Sequence, residues 1–258
     1  MKNKIKALFR PLKHLLENFF NITITTKPVY KELTIDKNIP HSIIYPRANY
    51  SPWINDDKFQ SIFNIAKEYS LVDEYRMYEL YQLSAQASLL NGDFIEVGVW
   101  RGGSSAVIQS VLVNSNFSDN FYIADTWQGV VKAGSMNDTR YVGGEHSDAD
   151  LADVHNLYDS LGLPKPEILV GIFPDDHPNV DIQRIAFLHS DVDAYQSTKD
   201  IIEWSLPKLV SRAIIVFDDY GFRGCEGVTK YVNEFYKQHS EKFTFLHNIN
   251  GHAILIKK

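Results

Sequence analysis

From residue 94 onward, short apolar runs alternate with stretches of helical character, a pattern that few folds accommodate. The runs are FIEV (94–97), FYIAD (121–125), EILVG (167–171), IAFLHSD (185–191) and AIIVFDD (213–219). The predicted helices are 58–70, 73–90, 104–114, 153–162, 197–209 and 226–239. Strands that alternate with helices favour a parallel sheet covered by helices on both faces. The sequence therefore predicts a doubly wound α/β domain.

Residues 243–258 break this alternation. Their sequence, FTFLHNINGHAILIKK, has two β-prone runs on either side of Asn250-Gly251. Asn-Gly is a strong signal for a type I′ turn, which joins two antiparallel strands tightly. We therefore predict that a C-terminal antiparallel hairpin closes a mostly parallel sheet, with the last strand at about 252–257.

Charge and cysteine content exclude several classes of protein. A net charge of −6 argues against a partner bound through nucleic-acid phosphates. The sequence has no run of 18 or more apolar residues, so no transmembrane segment is predicted. Cys225 is the single cysteine, which excludes an internal disulfide and suits a reducing compartment. These features indicate a cytoplasmic protein.

Residues 1–20 place apolar side chains at helical spacing opposite basic ones, which predicts a basic amphipathic helix. The stretch does not resemble a signal peptide, because charged residues and Pro11 interrupt it. We favour packing of this helix on the domain or on a second subunit, as in a homo-oligomer. A peripheral contact with an anionic membrane is the alternative. Residues 21–57, with four prolines, are predicted to connect it to a domain at 58–258.

Ligands of doubly wound sheets bind beyond the carboxyl ends of the strands. After the first strand, EVGVWRGGSS contains Glu96 and a glycine-rich turn into a helix, whose free N–H groups suit an anion. Asp125 ends the second strand, where it fits either a hydrogen bond to ribose hydroxyls or a cap on the following turn. Gly171 ends the third strand. There Phe173 and the backbone could border a flat base, or Pro174 could simply shape a turn.

The fourth and fifth predicted strands both end in acidic residues. SDVDAYQST carries Asp191 and Asp193, and IIVFDDYG carries Asp218 and Asp219. One acid pair alone is more often a cap or solvated, but acids on consecutive strand ends meet at the ligand-binding edge. Carboxylates without cysteine suit Mg²⁺, Mn²⁺ or Ca²⁺ rather than zinc. We therefore predict a metal site that contains Asp191, Asp218 and Asp219.

Four stretches of the chain together resemble one protein family. DFIEVGVWRGGSS, YIADTWQGV, SDVDAYQST and IIVFDDYG are similar to motifs of the TylF-type (macrocin) sugar O-methyltransferases, in the same order. The resemblance covers about residues 70–235. It implies a class I, Rossmann-like methyltransferase fold, S-adenosylmethionine as methyl donor, Mg²⁺ (or Mn²⁺) as the metal and a sugar hydroxyl as acceptor.

The resemblance also implies roles for individual residues. It assigns the cofactor pocket to Glu96, Gly98, Ser104, Asp125, Thr126, Trp127, Gly171, Ile172, Phe173 and Asp191. Within this set, Ser104 would meet the methionine carboxylate, Asp125 the ribose, and Phe173 with its two predecessors the adenine. It assigns the metal to Asp191, Asp218 and Asp219, and the general base to Asp193. Ala194 stands where some metal-dependent relatives have a lysine or histidine.

Other interpretations of the same residues compete with this one. Asp191-Val192-Asp193 is a D-x-D motif, as in metal-dependent glycosyltransferases that bind nucleotide-sugar diphosphates, but that alternative leaves the glycine-rich turn and the hairpin unexplained. A NAD-dependent oxidoreductase would need a G-x-G-x-x-G fingerprint, which the sequence lacks. A membrane-docked scaffold without enzymatic activity would not explain the aspartates at the ends of the fourth and fifth strands.

The sequence leaves the acceptor and part of the site open. A surface-polysaccharide sugar, a nucleotide-linked sugar and a glycosylated natural product all fit. Further candidate bases, each more often structural when isolated, are His146, His155, His177 and His189. The polar, glycine-bearing segment 141–150 (YVGGEHSDAD) fits a mobile lid or an ordinary surface loop.

Overall fold

The computed structural model of the protein describes Ile39 and residues 48–258. The predicted helix at 1–20 and most of the predicted arm at 21–57 lie outside the described residues. The last part of that arm packs on the domain. Pro52–Asn55 form a 3₁₀-helix, and the Trp53 ring lies edge-on to Tyr75 with 5.1 Å between centroids. In the described part of the chain, no helix is long and apolar enough to cross a membrane.

A seven-stranded sheet forms the centre of the domain. The strands are β1 (Asp93–Val97), β2 (Phe121–Asp125), β3 (Glu167–Val170), β4 (Ile185–Ser190), β5 (Leu209–Phe217), β6 (Phe243–His247) and β7 (Ala253–Lys257). Their order in the sheet is β3-β2-β1-β4-β5-β7-β6. Neighbours from β3 to β5 pair in parallel, whereas β7 runs antiparallel to both β5 and β6. The predicted α/β class, mostly parallel with an antiparallel strand at the C-terminus, is confirmed.

In the described part of the chain, six α-helices surround the sheet. They are α1 (Asp57–Ala66), α2 (Glu74–Ala87), α3 (Gly103–Leu112), α4 (Leu151–Leu161), α5 (Tyr195–Ser205) and α6 (Glu226–His239). The first predicted helix ends earlier than expected, in a 3₁₀ turn at Lys67–Tyr69. Asp56, Asp73 and Asp150 accept hydrogen bonds from first-turn N–H groups of α1, α2 and α4, which fixes where these helices begin.

The sheet is covered on both faces, and β5 illustrates how. Ile214 and Val216 pack in the core that includes side chains of α2, α3 and α4, whereas Ile215 and Phe217 pack with α5 and α6. Successive side chains of a strand point to opposite faces, so a strand buried on both sides must be apolar throughout. This is the reason that the apolar runs were recognisable in the sequence.

The C-terminal hairpin is present, but its predicted turn type is wrong. The last paired residues are His247 and Ala253, which leaves a loop of residues 248–252 rather than two residues. Gly251 has a φ of +100°, but Asn250 is outside the left-handed region that a type I′ turn requires at both central positions. A Cβ on Gly251 would lie 2.1 Å from the Phe222 ring. This tertiary contact accompanies a longer loop than the local Asn-Gly signal predicts.

Candidate active site

A cavity of about 300 Å³ lies at the carboxyl ends of the parallel strands. Segments that follow β1, β2, β3, β4 and β5 all contribute to its walls. The predicted ligand residues that line it are Gly98, Ser104, Asp125, Thr126, Gly171, Ile172, Phe173, Asp191, Asp193, Asp218 and Asp219. Two other residues assigned to the cofactor, Glu96 and Trp127, are not part of the lining. The structure therefore brings most of the predicted site together around one space.

The turn after β1 requires glycine at its first position. Gly98 has a φ of +87°, and a Cβ there would lie 1.7 Å from the backbone oxygen of Asp191. This close approach joins the ends of β1 and β4. Gly102 then caps α3, and the buried Ser104 in its first turn lines the cavity. The free N–H groups at this helix start favour an anionic group in the cavity.

Asp125 holds two backbone turns together at the end of β2. Its Oδ2 accepts hydrogen bonds from the N–H groups of Val99 (2.7 Å) and Trp100 (2.9 Å). Its Oδ1 accepts one from the N–H of Trp127 at 2.8 Å. The capping role expected as an alternative is therefore real. Because Asp125 also lines the cavity, a ribose contact remains a proposal.

Trp127 lies behind the cavity wall, where it supports the first turn. Its indole Nε1 donates to the backbone oxygen of Trp100 at 2.9 Å. The neighbouring Thr126 does line the cavity, and its hydroxyl donates to the backbone oxygen of Gly129 at 3.1 Å. Of these two residues, only Thr126 is placed for direct contact with a ligand.

The end of β3 supplies an apolar wall. Phe173 is 4% exposed, lines the cavity and packs edge-on against Trp204 with 4.7 Å between ring centroids. Gly171 has a φ of +131°, and the N–H of Ile172 donates to Asp176 Oδ2 at 2.7 Å. This turn therefore presents backbone and one aromatic face to the cavity, as a flat ring requires.

Glu96 does not reach the cavity, so its predicted place in the pocket lining is wrong. Its carboxylate is fully buried, and Oε1 lies 2.8 Å from Nδ1 of His189, its register partner on β4. The pleat explains the difference. Val97 lines the cavity, and Glu96, as the preceding residue, points to the other face of the sheet.

Burial and neighbouring carboxylates disfavour the ionised forms of Asp191 and Asp219. Burial, followed by the charges of Asp218, Asp219 and Asp193, raises the pKa of Asp191 well above its usual range. Burial, followed by the charges of Asp193 and Asp218, raises the pKa of Asp219 in the same way. Arg76 opposes both shifts without outweighing them. We call Asp191, Asp193, Asp218 and Asp219 the carboxylate cluster. Asp193 and Asp219 have left-handed backbones, with φ of +59° and +63°.

Asp218 is the opposite case. Burial alone would raise its pKa, but His252, Arg76 and His189 outweigh burial and lower it. Its Oδ1 accepts hydrogen bonds from Nη1 of Arg76 and, at 2.8 Å, from the N–H of Asp219. The same oxygen lies 3.6 Å from Nε2 of His252. Arg76 and the two nearby imidazoles therefore favour the ionised form of this carboxylate.

The described residues contain two tight groups of possible metal donors. Two groups in the described part of the chain hold three donor atoms within 4.8 Å of one another: Asp193, Asp219 and Cys225, and His189, Asp218 and His252. The set Asp191, Asp218 and Asp219 is not such a group, because Asp218 turns one oxygen toward Arg76 and the histidines. Asp193, which was predicted to be the general base, contributes a carboxylate oxygen to the first of these groups.

The cavity-side carboxylates nevertheless fit a hard divalent cation. Asp219 Oδ2 is buried and has no hydrogen-bond partner among the described residues. The raised pKa values of Asp191 and Asp219 show that like charges are held together there. Several carboxylate oxygens are the donor set that Mg²⁺ and Mn²⁺ prefer. A cation at this edge of the cavity would offset the repulsion.

Tyr141 lies between Asp193 and His146. Its hydroxyl is 3.3 Å from Nε2 of His146. Burial, followed by the charge of Asp193 and a hydrogen bond with it, raises the pKa of Tyr141. Glu145 ties down the backbone beyond Tyr141 by accepting from the N–H groups of Val142 and Gly143, both at 2.9 Å. The 141–150 segment thus brings a hydroxyl and an imidazole to the predicted base.

The sequence analysis did not predict Arg76, Glu79 or His252 as residues near the site. For Arg76, however, the sequence contains a signal. Arg76 is only 7% exposed and shares the buried face of α2 with Met77 and Leu80. An arginine in phase with an apolar helical stripe is a sign that its charge has a buried partner. His252 gave no comparable signal, because its neighbours in the chain are typical of a hairpin loop.

A family profile supplies the decisive comparison. The profile described as Macrocin-O-methyltransferase (TylF) matches residues 60–258. The chain belongs to this family. The match extends from α1 to the last strand and so includes every wall of the cavity. The family resemblance seen in the sequence motifs is confirmed.

Individual proteins agree with this assignment. The chain is 31% identical over 143 residues to the 8-demethyl-8-(2,3-dimethoxy-alpha-L-rhamnosyl)-tetracenomycin-C 4'-O-methyltransferase of Streptomyces olivaceus, covering 52% of this chain and 55% of that protein. The chain spans little more than half the length of the curated relatives that it matches.

Solved structures show the same fold. The O-methyltransferase NovP superposes with a TM-score of 0.63 at 20% identity, over 74% of this chain and 82% of that chain. An O-methyltransferase from Bacillus cereus in complex with SAH superposes with a TM-score of 0.53 at 15% identity, over 79% and 92% of the two chains. At these identities the likeness establishes the class I methyltransferase fold.

Proposed function

We propose that the protein transfers a methyl group from S-adenosylmethionine to a hydroxyl group of a sugar, with Mg²⁺ or Mn²⁺ as the metal. The observation that carries this proposal is the single cavity with two kinds of wall. Residues after β1, β2 and β3 suit an adenosyl cofactor. Residues after β4 and β5 suit a cation and an acceptor hydroxyl. The chain also belongs to a family of O-methyltransferases, which supports the same reaction.

The cofactor would lie along the first three strand ends. Ser104 and the start of α3 would hold its carboxylate, and Gly171, Ile172 and Phe173 would border its adenine. Asp125 already accepts three N–H groups, and an ionised carboxylate offers about four lone-pair sites. About one site is therefore left for a ribose hydroxyl. This capacity supports the proposed contact.

The acceptor would meet the carboxylate cluster. When bound, a divalent cation lowers the pKa of a hydroxyl beside it, and S-adenosylmethionine supplies the electrophilic methyl group. Asp191 and Asp219 would hold the cation, with Asp218 at the edge of the cluster. Asp193 would accept the hydroxyl proton on its carboxylate. Tyr141 would orient that carboxylate through its hydroxyl.

The sugar acceptor is supported by the Streptomyces olivaceus relative, which is named as a methyltransferase of a rhamnosyl tetracenomycin. A surface-polysaccharide sugar, a nucleotide-linked sugar and a glycosylated natural product remain the acceptor classes to test. Glycosyl transfer is not favoured, because it does not explain the turn at Gly98 or the carboxylate of Asp125 in the cavity. The homo-oligomer and the cytoplasmic location expected from the sequence belong to this proposal as well.

Incubation with labelled S-adenosylmethionine and a panel of sugars from the three classes tests the proposal. We expect label in at least one sugar, loss of transfer with a chelator, and recovery with Mg²⁺ or Mn²⁺. The same panel with UDP- and GDP-sugars is the control for glycosyl transfer. Absence of S-adenosylmethionine binding by calorimetry, or sugar transfer from a nucleotide donor, would overturn it.

A further inference from the structure

A layer of polar side chains lies between the sheet and α2, and all of them are buried except that of Glu79, which is 22% exposed. Its members are Arg76 and Glu79 of α2 and, from β1, β4 and the residues next to β5 and β7, Glu96, His189, Asp218 and His252. His189, Val216 and Ile254 are register partners across β4, β5 and β7. Because side chains alternate, Asp218 and His252, each two residues from a partner, point to the same face. We call these six residues the polar layer.

Both imidazoles of the polar layer are held by a carboxylate at Nδ1. His189 Nδ1 lies 2.8 Å from Glu96 Oε1, and His252 Nδ1 lies 2.7 Å from Glu79 Oε2. An ionised carboxylate can only accept a hydrogen bond, so each Nδ1 carries a proton. Both rings are fully buried, and neither Nε2 has a hydrogen-bond partner in the described part of the chain.

The two unpartnered nitrogens and Asp218 surround one small space. One ring nitrogen of His189, one of His252 and a carboxylate oxygen of Asp218 all lie within 4.8 Å of one another. Because each Nδ1 is held by a glutamate, Nε2 is the nitrogen that each ring has free for a ligand. The 3.6 Å between His252 Nε2 and Asp218 Oδ1 is too long for a good hydrogen bond. Two ligands on a tetrahedral ion with bonds of about 2.1 Å are roughly 3.4 Å apart. The spacing therefore suits a shared ion better than direct contact.

Charge also favours a cation at this place. With neutral imidazoles, Glu79, Glu96 and Asp218 contribute −3 and Arg76 contributes +1, which leaves −2 in a largely buried layer. Buried charge is costly unless it is neutralised. One divalent cation makes the sum zero. An extra proton on each imidazole is the other way to reach the same balance.

The geometry points to a binding site for a divalent transition metal of the Zn²⁺ class, formed by His189, His252 and Asp218. Imidazole nitrogen suits such ions, whereas Mg²⁺ prefers the oxygen donors of the cavity, so the two sites differ in chemistry. Two histidines and a carboxylate leave a fourth position for water. Glu96 and Glu79 provide the outer hydrogen bonds that orient metal-binding imidazoles. Oδ1 of Asp218 accepts from Arg76 and from the N–H of Asp219, so the ion would use Oδ2 of this carboxylate, and the 3.6 Å gap at Oδ1 leaves room for it.

An ion in the polar layer would tie β4, β5 and β7 together at the level of Asp218, which also lines the cavity. Its role is to position that carboxylate and the strand ends, and it takes no part in methyl transfer. The inference therefore stands or falls independently of the proposed function.

Metal titration of the full chain, prepared without a histidine tag, tests the site. Chelator-treated protein is titrated with Co²⁺ in the presence of excess Mg²⁺, and visible absorbance is recorded. We expect about one Co²⁺ per chain with the spectrum of a four- or five-coordinate ion bound to nitrogen, and displacement by Zn²⁺. Zn²⁺ should also raise the Tm, because it binds the folded state.

Variants assign the ion to the polar layer. His189→Gln and His252→Gln should weaken Co²⁺ binding by at least about 100-fold, and Glu79→Gln by roughly 10–100-fold. His239→Gln on α6 and Asp191→Asn in the cavity should leave it unchanged. If a histidine variant does not fold, the spectrum of the unmodified protein decides.

Three results would overturn the inference. The first is that the unmodified protein binds Co²⁺ no more tightly than a double His189→Gln/His252→Gln variant. That result would mean that protonated imidazoles, and not a metal ion, neutralise the polar layer. The second is a six-coordinate spectrum typical of oxygen donors. The third is loss of the Co²⁺ site in Asp191→Asn, which would place the ion in the cavity.

Discussion

Arg76 donates a hydrogen bond from Nη1 to Oδ1 of Asp218, which lies 142 residues further along the chain, and both side chains are buried. Nε of the same guanidinium donates to Asp73 at 2.9 Å. The pair links the first turn of α2 to the end of β5. It therefore fixes one side of the cavity through a contact that neither segment could make alone.

We predict that Arg76→Met destabilises the fold by about 3–5 kcal/mol, because removal of one partner leaves a buried carboxylate without its main cation. Urea unfolding measures the change. Arg184→Met, which removes an exposed arginine, should cost much less and serves as the control. The double variant Arg76→Met/Asp218→Asn should lose less than the sum of the single variants. Additive losses would show that the pair is not coupled.

The neighbours Asp218 and Asp219 should respond to neutralisation with opposite signs. The lowered pKa of Asp218 means that its ionised form stabilises the fold above the usual carboxyl pKa, and that this contribution is lost as pH falls below it. The raised pKa of Asp219 means that stability falls as pH rises from the usual value toward the raised one. In metal-free protein near pH 7, Asp218→Asn should therefore destabilise and Asp219→Asn should stabilise.

Unfolding by urea at pH 7 and near pH 4 measures both effects, and each should shrink at the lower pH. Asn suits the left-handed backbone of Asp219, so the substitution changes charge without new strain. A loss of stability in Asp219→Asn would show that hydrogen bonding outweighs repulsion at that carboxylate.

Asp125→Asn should weaken S-adenosylmethionine binding by roughly 1.5–3 kcal/mol, because a charge-assisted hydrogen bond to ribose is lost. The amide oxygen can keep the N–H groups of Val99 and Trp100, whereas the NH2 group cannot accept from the N–H of Trp127, so some loss of fold stability is also expected. Calorimetry measures affinity, and circular dichroism checks the fold. Asp159→Asn, at an exposed ion pair with Lys165, is the matched control. Unchanged affinity would leave Asp125 with only its turn-capping role.

The positions of the site residues were predictable where they depend on topology. Apolar runs revealed strands because both faces of the sheet are buried, and residues that follow such strands must gather at one edge. Asp125, Asp191 and Asp219 were found in this way. The turn type at Asn250-Gly251 was not, because contact with Phe222 accompanies a longer loop than the local signal requires.

What the sequence could not show is which face of the sheet a strand-end residue points to. Glu96 and Val97 are adjacent, yet only Val97 lines the cavity. Asp218 follows an apolar run as Asp191 does, but it pairs with Arg76 and lies beside His252, both from distant parts of the chain. Such pairings depend on the phase of a strand and on long-range packing, neither of which composition or spacing records.

Kinetics should distinguish the proposed general base, Asp193, from Tyr141, which would orient it. Asp193→Asn should abolish most turnover, since the amide cannot accept the hydroxyl proton, while cofactor affinity is retained. Tyr141→Phe keeps the ring and removes the hydroxyl beside Asp193, so kcat should fall by about 10–100-fold with little change in the KM for S-adenosylmethionine. Steady-state methyl transfer with a sugar acceptor measures both.

His146→Gln tests how far this support extends, because His146 touches the Tyr141 hydroxyl and not Asp193 in the described contacts. We expect a kcat between those of the unmodified protein and Tyr141→Phe, and no further loss when the two substitutions are combined, since His146 acts through Tyr141. His177→Gln, which removes an imidazole that stacks on Phe173 but does not line the cavity, is the control. Additive losses would instead indicate that His146 contacts the acceptor by itself, and full activity of Asp193→Asn would remove the base from this end of the cavity.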